Sequence, residues 1–372
     1  MSVVRSHSLS IGIVGVPNAG KSTLFNALTK CAVPAENFPF CTIDKNIGVV
    51  KIPDARLDSL SDFFKAQKVV PSAIKFVDIA GLVKGASKGE GLGNQFLSHI
   101  REVDMILYVL RAFGGEKVVH VYDRIDPLDD LKIVESELIL KDIETVTKRI
   151  ADLERMTKSG TSEEVKAKLE ICHKIMDQFA KGRSAVELTF PEEYQDFIYE
   201  MSLLTNKRRM YLLNIRDGVE ESQLTNWENA IKEYVTQEEK DAIIKVDVKL
   251  LGEMSDMGED TKSEYIEMLG YNPFTVQDLI SSAIKELGLI TFYTGSEKEC
   301  NAWSINNGAT VKEAAGVIHT DLEQRFITAD VVNVEALVQA GGWAQAKEKG
   351  LIRNQGKGYI VNDGDYIIIY NS

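Results

Sequence analysis

The sequence lacks the features that place a protein in a membrane or hold it together with disulfide bonds. Its four cysteines are scattered along the chain with no Cys-x-x-Cys pair: Cys31, Cys41, Cys172 and Cys300. This usage indicates free thiols in a reducing compartment rather than disulfides or zinc ligands. No apolar run approaches the ~20 residues that a membrane helix needs, and the start of the chain has no apolar core of signal-peptide length. We therefore expect a soluble cytoplasmic protein without a membrane partner.

Positive charge is also in short supply. The 372 residues carry a formal net charge of −13, from 43 basic and 56 acidic side chains. This balance argues against nucleic-acid binding through a uniformly basic surface. We therefore expect no sequence-specific DNA binding, while a local basic patch stays compatible with the composition. The length is typical of two or three globular domains.

What the sequence does contain is a phosphate-binding motif, Gly15-Val16-Pro17-Asn18-Ala19-Gly20-Lys21-Ser22. The motif matches G-x-x-x-x-G-K-S, the P-loop, and lies between a strand-like run, 11–14, and a helix-like run, 22–28. Its glycines allow backbone N–H groups to surround a phosphate, and the helix N-terminus adds positive potential. We expect Lys21 to contact the β- and γ-phosphates and the Ser22 hydroxyl to bind Mg²⁺.

Two further segments have the order of nucleotide-sensing switches. Thr42 precedes the second predicted strand, where P-loop switch proteins place a threonine that closes over Mg²⁺; a plain strand-capping threonine is the alternative. Asp78-Ile79-Ala80-Gly81 ends the next predicted strand, so we expect Asp78 to hold the Mg²⁺ shell and Gly81 to donate its N–H to the γ-phosphate. Leu82 stands where Ras-like hydrolases place a water-orienting glutamine, and its side chain cannot form hydrogen bonds.

A helical insertion follows. After Asp126-Pro127, apolar residues recur at three- and four-residue steps, which predicts a long amphipathic helix. A polar turn and a capping box of Thr161 with Glu164 predict a second helix, and two such helices are typical of an antiparallel hairpin. Lys207-Arg208-Arg209 and the lysines of the hairpin are the best candidates for a local basic surface.

The next strand, 210–213, ends in Asn214-Ile215-Arg216-Asp217, where guanine-specific switch proteins have Asn-Lys-x-Asp. Isoleucine replaces the lysine. Because an asparagine amide both donates and accepts hydrogen bonds, Asn214 suits either purine. Residues 242–248 are predicted to form the last strand of this domain.

From about Gly288 the composition predicts a small separate α+β module. Residues 289–294 are typical of a strand, while 356–361 and 366–370 are typical of a strand, turn and strand. The sequence of this module holds no metal cluster or nucleophile constellation, so it indicates binding rather than chemistry.

The motif-bearing segments resemble those of the Obg-like ATPase (YchF) family. The matching strings are 15–23, 37–44, 78–86 and 91–97, with 313–321 and 359–365 resembling the family's TGS domain. The resemblance runs along nearly the whole chain. It implies an α/β P-loop nucleotide domain (8–127 and 206–287), an inserted α-helical coiled-coil hairpin (128–205) and a small ubiquitin-like α+β TGS domain (288–372).

The resemblance also implies a function: a Mg²⁺-dependent switch that prefers ATP, resides in the cytoplasm and associates with the ribosome through the hairpin and the TGS domain. Because Leu82 cannot orient water while the phosphate site is complete, we expect slow turnover rather than none. Carried over residue by residue, phosphate binding falls on Asn18, Ala19, Gly20, Lys21, Ser22 and Thr23, and the Mg²⁺ ligands on Ser22 and Thr42. Adenine contacts fall on Asn214 and the backbone of Ile215. The hydrophobic replacement of the glutamine falls on Leu82, and the catalytic histidine on His120. Asn18 further suggests a K⁺ site beside the phosphates.

The chain departs from this family at two places that bear on the base. The acid in the base-reading strand is Asp217 where the family usually has glutamate, and the small-residue base loop is missing near Asp247-Val248-Lys249. Three functions stay open. We favour an ATP-hydrolysing switch. A GTPase of the same architecture stays open because of Asp217, and a non-hydrolysing nucleotide-gated scaffold stays open because of Leu82.

Overall fold

The computed structural model describes residues 9–30, 46–79, 100–114, 125–158, 162–216 and 218–372. Six residues with predicted roles in the nucleotide site or in helix capping lie outside these ranges: Thr42, Gly81, Leu82, His120, Thr161 and Asp217. Contacts between residues divide the chain into two compact units. Unit 1 holds Ser10–Gly48 and Lys75–Val276, and unit 2 holds Val49–Ile74 and Gln277–Ser372.

Strands and helices alternate through most of the described chain. The strands are β1 (Leu9–Val14), β2 (Ile47–Lys51), β3 (Lys68–Val70), β4 (Ala73–Asp78), β5 (Met105–Arg111), β6 (Arg208–Asn214), β7 (Ile243–Val246), β8 (Leu289–Gly295), β9 (Glu299–Asn306), β10 (Phe326–Asn333), β11 (Arg353–Gln355) and β12 (Asp365–Asn371). The α-helices are α1 (Lys21–Lys30), α2 (Ala55–Phe64), α3 (Pro127–Lys158), α4 (Glu163–Ala180), α5 (Gln195–Met201), α6 (Glu221–Tyr234), α7 (Val248–Met254), α8 (Glu259–Leu269), α9 (Val276–Leu287), α10 (Val311–Ile318), α11 (Thr320–Gln324), α12 (Val334–Ala340) and α13 (Trp343–Glu348). Among the described residues, no helix has the length and apolar character needed to cross a membrane.

The first sheet has six strands in the order β2-β4-β1-β5-β6-β7. Within it, β1 pairs in parallel with β5, β5 with β6, and β6 with β7. Every position of β1 and β5 is buried, which is why both strands are continuous apolar runs. The carboxyl ends of these parallel strands lie at one edge of the sheet, where open α/β folds bind ligands.

The last strand of this sheet is shorter than the sequence predicts. It ends at Val246, and α7 begins at Val248. The reason is the N-cap of α7, because Asp247 accepts the backbone N–H groups of Lys249 and Leu250. Aspartate is among the strongest N-cap residues, so the chain leaves the sheet at this point.

The predicted helical hairpin is present as α3 and α4. Buried apolar residues of both helices share one core cluster with α5: Ile139, Val146, Leu153, Ile171, Cys172, Ile175, Phe179 and Phe197 are among its members. The predicted stripe is therefore the packing seam of the hairpin. Helix α4 is capped by Ser162, whose hydroxyl accepts the Val165 N–H, one residue after the predicted Thr161.

A buried carboxylate on α3 holds the segment of chain that follows the hairpin. Asp142 on α3 is fully buried and accepts the backbone N–H groups of Leu204 and Thr205 at 2.9 and 2.8 Å, together with the Thr205 hydroxyl at 2.7 Å. Burial raises the pKa of Asp142, while these hydrogen bonds act to lower it. The return of the chain towards β6 is thus tied to the middle of α3.

Unit 2 is built on a second six-stranded sheet, in the order β11-β10-β12-β8-β9-β3. One core cluster brings α10 against this sheet through Val311 and Ala314, and another brings α2, α12 and α13 against it through Leu60, Leu337 and Ala346. The edge strand β3 pairs in parallel with β9. Helix α2 and strand β3 precede β4 in the chain. Their contacts nevertheless group them with the C-terminal residues rather than with the P-loop. The predicted domain boundaries stay a prediction.

The prediction that 356–361 and 366–370 form a strand, turn and strand is wrong, because the two segments do not pair with each other. Strand β12 pairs antiparallel with β10 and in parallel with β8, whereas 356–361 contributes an isolated bridge between Ile360 and Thr310. The Asp365 carboxylate accepts the Tyr359 hydroxyl and the Asn362 N–H, both at 2.9 Å. These bonds hold the segment as a turn instead of a second strand.

Candidate functional site

The P-loop joins β1 to α1, and its backbone requires glycine at position 20. Gly20 has a φ of +103°, and a Cβ on it would lie 2.2 Å from Nδ2 of Asn214. Asn18 also has a left-handed backbone, with a φ of 62°, a conformation that asparagine tolerates better than most residues. Nδ2 of Asn214 donates to the Ala19 carbonyl oxygen at 2.8 Å. The end of β6 therefore holds the tip of the P-loop.

A cavity of about 470 Å³ opens beside this loop. Among the residues that the structure describes, ten line it: Asn18, Gly20, Lys21, Ser22, Thr23, Phe113, Asn214, Arg216, Val248 and Lys249. The structure thus brings together most of the residues for which phosphate or base contacts were predicted. Ala19 contributes through its carbonyl bond to Asn214, and Ile215 is not among the lining residues.

Lys21 and Asp78 carry opposite charges near the P-loop, where Lys21 is buried and Asp78 is half-buried. Lys21 is 7% exposed, and its Nζ donates to the Val16 carbonyl oxygen at 2.8 Å. Burial lowers the pKa of Lys21, and the nearby Asp78 carboxylate acts in the opposite direction. Burial likewise raises the pKa of Asp78, with Lys21 opposing the shift. A phosphate group would supply the second partner that the Lys21 ammonium needs.

The arrangement around Asp78 fits a divalent cation. Within the part of the chain that the structure describes, Oδ1 of Asp78 is a buried acceptor without a hydrogen-bond partner. Buried polar atoms are rarely left in this state unless a water or an ion completes them. Ser22 lines the cavity beside Lys21 and offers an exposed hydroxyl oxygen. Oxygen ligands of these two kinds, together with water, are those that Mg²⁺ takes at phosphate sites.

At the other end of the cavity, the amide of Asn214 is half committed to the protein. Besides the bond to Ala19, its Oδ1 accepts the Val248 N–H at 3.2 Å. One N–H and one oxygen lone pair of the amide stay available for a ligand. The N–H of Ile215 donates to the Val246 carbonyl oxygen at 3.0 Å, so the backbone of Ile215 can offer a base only its carbonyl oxygen.

Sequence reasoning missed four of the residues that line the cavity: Phe113, Arg216, Val248 and Lys249. The guanidinium of Arg216 lies 4.4 Å from the centre of the Phe113 ring, and that of Arg111 lies 5.0 Å from it. Distances of this size are typical of cation–π contacts. The sequence could have pointed to two of them only through their positions: Phe113 follows the end of a predicted buried strand, and Arg216 falls inside the predicted base motif.

The predicted basic surface at Lys207-Arg208-Arg209 is wrong for Arg209 and Lys207. Arg209 is 5% exposed and forms ion pairs with Glu135 and Glu239. Nζ of Lys207 donates to the carbonyl oxygens of Arg101 and Val103, at 2.9 and 2.5 Å. Arg208 is the exposed member of the three. Position explains the difference, because Arg208 is the first residue of β6 and every later position of that strand is buried.

The fold and the cavity together define a P-loop nucleotide-binding protein of the α/β class. Comparison with known proteins agrees with this class. A family profile described as "50S ribosome-binding GTPase" matches residues 10–159, and one named YchF-GTPase_C, described as "Protein of unknown function (DUF933)", matches residues 289–371.

Similar proteins extend the match to nearly the whole chain. The "Ribosome-binding ATPase YchF" of Bacillus subtilis is 43% identical over 97% of this chain and 98% of its own length. The rice protein "Obg-like ATPase 1" is 38% identical over 97% of this chain and 92% of its own length. The structure of the Schizosaccharomyces pombe "YchF GTPase" is 33% identical, covers 98% of both chains and superposes with a TM-score of 0.83. The chain therefore belongs to the YchF family, as its motifs indicated.

Proposed function

We propose that this protein binds and hydrolyses ATP with Mg²⁺ in the P-loop cavity, and that it does so as a cytoplasmic switch that associates with the ribosome. One observation carries the catalytic part of the proposal. Lys21, Ser22 and Asn214 line a single cavity, and Asp78, which has an unpartnered buried oxygen, interacts electrostatically with Lys21. These observations support one nucleotide site that combines phosphate, metal and base groups.

The roles follow from this placement. The backbone N–H groups of Asn18 to Thr23 and the Lys21 ammonium bind the phosphates, and Gly81 adds its N–H at the γ-phosphate. Ser22, Thr42 and, through water, Asp78 hold Mg²⁺, which when bound neutralises charge on the phosphate oxygens. Asn214 and the Ile215 carbonyl oxygen contact the base. A K⁺ ion beside Asn18 is part of the same proposal.

Hydrolysis is expected to be slow. Leu82 cannot orient a water through its side chain, so positioning and electrostatics by the phosphate site supply most of the catalysis. His120 is proposed to orient the attacking water or shuttle its proton, because an imidazole titrates near ~6.5. The relatives named ribosome-binding ATPases support the choice of ATP and of the ribosome. The hairpin and the C-terminal module, proposed as domains 128–205 and 288–372, are the proposed contact regions.

Phosphate release under steady-state conditions tests this function. We expect slow hydrolysis of ATP by the wild type that is abolished by EDTA and by Lys21→Ala, since both remove phosphate-site charge. His120→Ala and Leu82→Ala are assayed in K⁺ and in Na⁺, with ATP affinity measured alongside. A His120→Ala protein that binds ATP normally and hydrolyses it at the wild-type rate would exclude His120. Hydrolysis of GTP in preference to ATP would favour the GTPase alternative, and absence of turnover even with ribosomes would favour the scaffold.

A further inference from the structure

The residue that ends the first sheet also controls one wall of the nucleotide cavity. Asp247 is the N-cap of α7, and its Oδ1 accepts two backbone N–H groups, those of Lys249 and Leu250, both at 2.9 Å. Val248 and Lys249, the first residues of that helix, line the cavity. The cap therefore determines which hydrogen-bond donors the helix terminus can present there.

The first three N–H groups of α7 are all engaged within the protein. The Val248 N–H donates to Oδ1 of Asn214 at 3.2 Å, and the next two donate to Asp247. A helix terminus ordinarily leaves its first N–H groups available to a ligand. Here the wall offers a base no free backbone donor over Val248 to Leu250.

The two purines differ in what they need from such a wall. Guanine presents an oxygen acceptor, O6, beside N7, whereas adenine presents an amino donor, N6, at the same place. The N–H and the lone pair that Asn214 retains match adenine N7 and N6, which is the usual bidentate pairing of asparagine with adenine. Against guanine, Oδ1 of Asn214 would face O6, and an acceptor left without a donor costs free energy.

We propose that Asp247 is a specificity-determining residue that gives the cavity its preference for adenine by occupying the backbone donors that guanine O6 would need. The inference rests on the proposed function, because it assumes that the base lies at this end of the cavity.

Two cationic side chains of the cavity act in the opposite direction. Arg216 and Lys249 carry donors that could approach a guanine O6. The guanidinium of Arg216 lies over Phe113 at 4.4 Å, and Nζ of Lys249 lies 3.5 Å from a carboxylate oxygen of Glu253. Both side chains are the same in the wild type and in the Asp247 variants, so a change of preference on removal of the cap reports the backbone donors.

The test compares Asp247→Gly with Asp247→Asn. Glycine removes the acceptor while it remains an acceptable N-cap, and asparagine keeps the acceptor without the charge. Dissociation constants for ATP, GTP and inorganic tripolyphosphate are measured by calorimetry on the full chain. We expect Asp247→Gly to tighten GTP relative to ATP by about tenfold, since one recovered hydrogen bond contributes about that factor. Asp247→Asn should keep the wild-type ratio.

Tripolyphosphate separates this inference from the function on which it rests. It reports the phosphate site alone, so its affinity should be equal in all three proteins. If the wild type binds neither tripolyphosphate nor nucleotide, the proposed function fails. If tripolyphosphate binds equally but Asp247→Gly leaves the ATP-to-GTP ratio within twofold of the wild type, or Asp247→Asn shifts it as much, Asp247 does not set the preference through its cap.

Discussion

At the scale of single residues, Arg209 is a charged side chain that is buried in the core and forms ion pairs there. Its guanidinium donates to Glu239 at 2.5 and 2.9 Å and also pairs with Glu135, and the Tyr234 hydroxyl donates to Glu135 at 2.6 Å. Glu135 belongs to α3 of the hairpin and Arg209 to β6. The network therefore joins the inserted hairpin to the central sheet, and each of its two carboxylates contacts the one guanidinium, which buried ions need for their stability.

Arg209→Ala is expected to destabilise the protein strongly. The substitution leaves two carboxylates buried without their partner, and breaking a buried ion pair from one side costs about 3–5 kcal/mol. The matched control is Arg208→Ala, the exposed neighbour, for which we expect a change within about 0.5 kcal/mol. Urea unfolding of both variants measures the difference. Equal midpoints for the two would show that the Arg209 network contributes nothing to stability.

At the scale of elements, the connection between β2 and β4 shows that the C-terminal module includes a segment from the first part of the chain. It leaves the P-loop sheet, forms α2 and β3, and supplies both a helix and an edge strand to unit 2. Leu57 and Leu60 of α2 are buried with Tyr293, Cys300 and Tyr366. The N-cap of α2, Asp54, also accepts the Tyr293 hydroxyl. The C-terminal module is thus completed by a segment that lies between two strands of the nucleotide domain.

Leu60→Ala should therefore weaken the C-terminal module rather than the P-loop sheet. Leu60 is fully buried, and removal of a leucine side chain from a core costs about 2–5 kcal/mol. We expect faster amide hydrogen exchange in β8, β9 and β12, with β5 and β6 little changed. Ser59→Ala, on the exposed side of the same helix, should leave both regions as in the wild type. Faster exchange restricted to β5 and β6 would contradict this grouping.

At the scale of the whole molecule, the net charge of −13 requires that any contact with RNA be local. In the hairpin, the first of the two proposed contact regions, several cations are paired with acids one turn away, as in Lys166 with Glu163 and Lys168 with Glu164. A second basic segment lies in unit 2. Residues 347–357 hold four basic side chains and one acidic one, and all four bases are exposed.

We predict that the proposed ribosome association depends on this segment. Four substitutions to glutamine, at Lys347, Lys349, Arg353 and Lys357, should weaken co-sedimentation with ribosomes. If all four contact phosphates, the slope of log affinity against log salt should fall by about 3. The control carries glutamine at four ion-paired hairpin cations: Lys141, Arg155, Lys166 and Lys168.

We expect this control to bind ribosomes nearly as the wild type does. Loss of binding in the control, with normal binding by the variant of segment 347–357, would place the contact on the hairpin instead. Binding by the wild type that is insensitive to salt would exclude a contact with RNA phosphates.

The sequence by itself determined the P-loop, the strands around it and the seam of the hairpin. These features are local: the motif of Gly15 to Ser22 lies within one strand–loop–helix unit, and a helical stripe repeats within one element. The C-terminal strand pairing was missed, because both 356–361 and β12 have the pattern of a strand and only contacts distant in sequence distinguish them.

Which residues those elements bring together depends on the tertiary structure. Phe113 and Arg216 entered the cavity because β5 and β6 are neighbours in the sheet, and Arg209 became a core residue because Glu135 and Glu239 face it from two other elements. Helix α2 joined unit 2 through partners such as Cys300, which lies 240 residues from Leu60 in the chain. The physical reason is that burial and charge pairing depend on neighbours distant in sequence, which a local pattern does not specify.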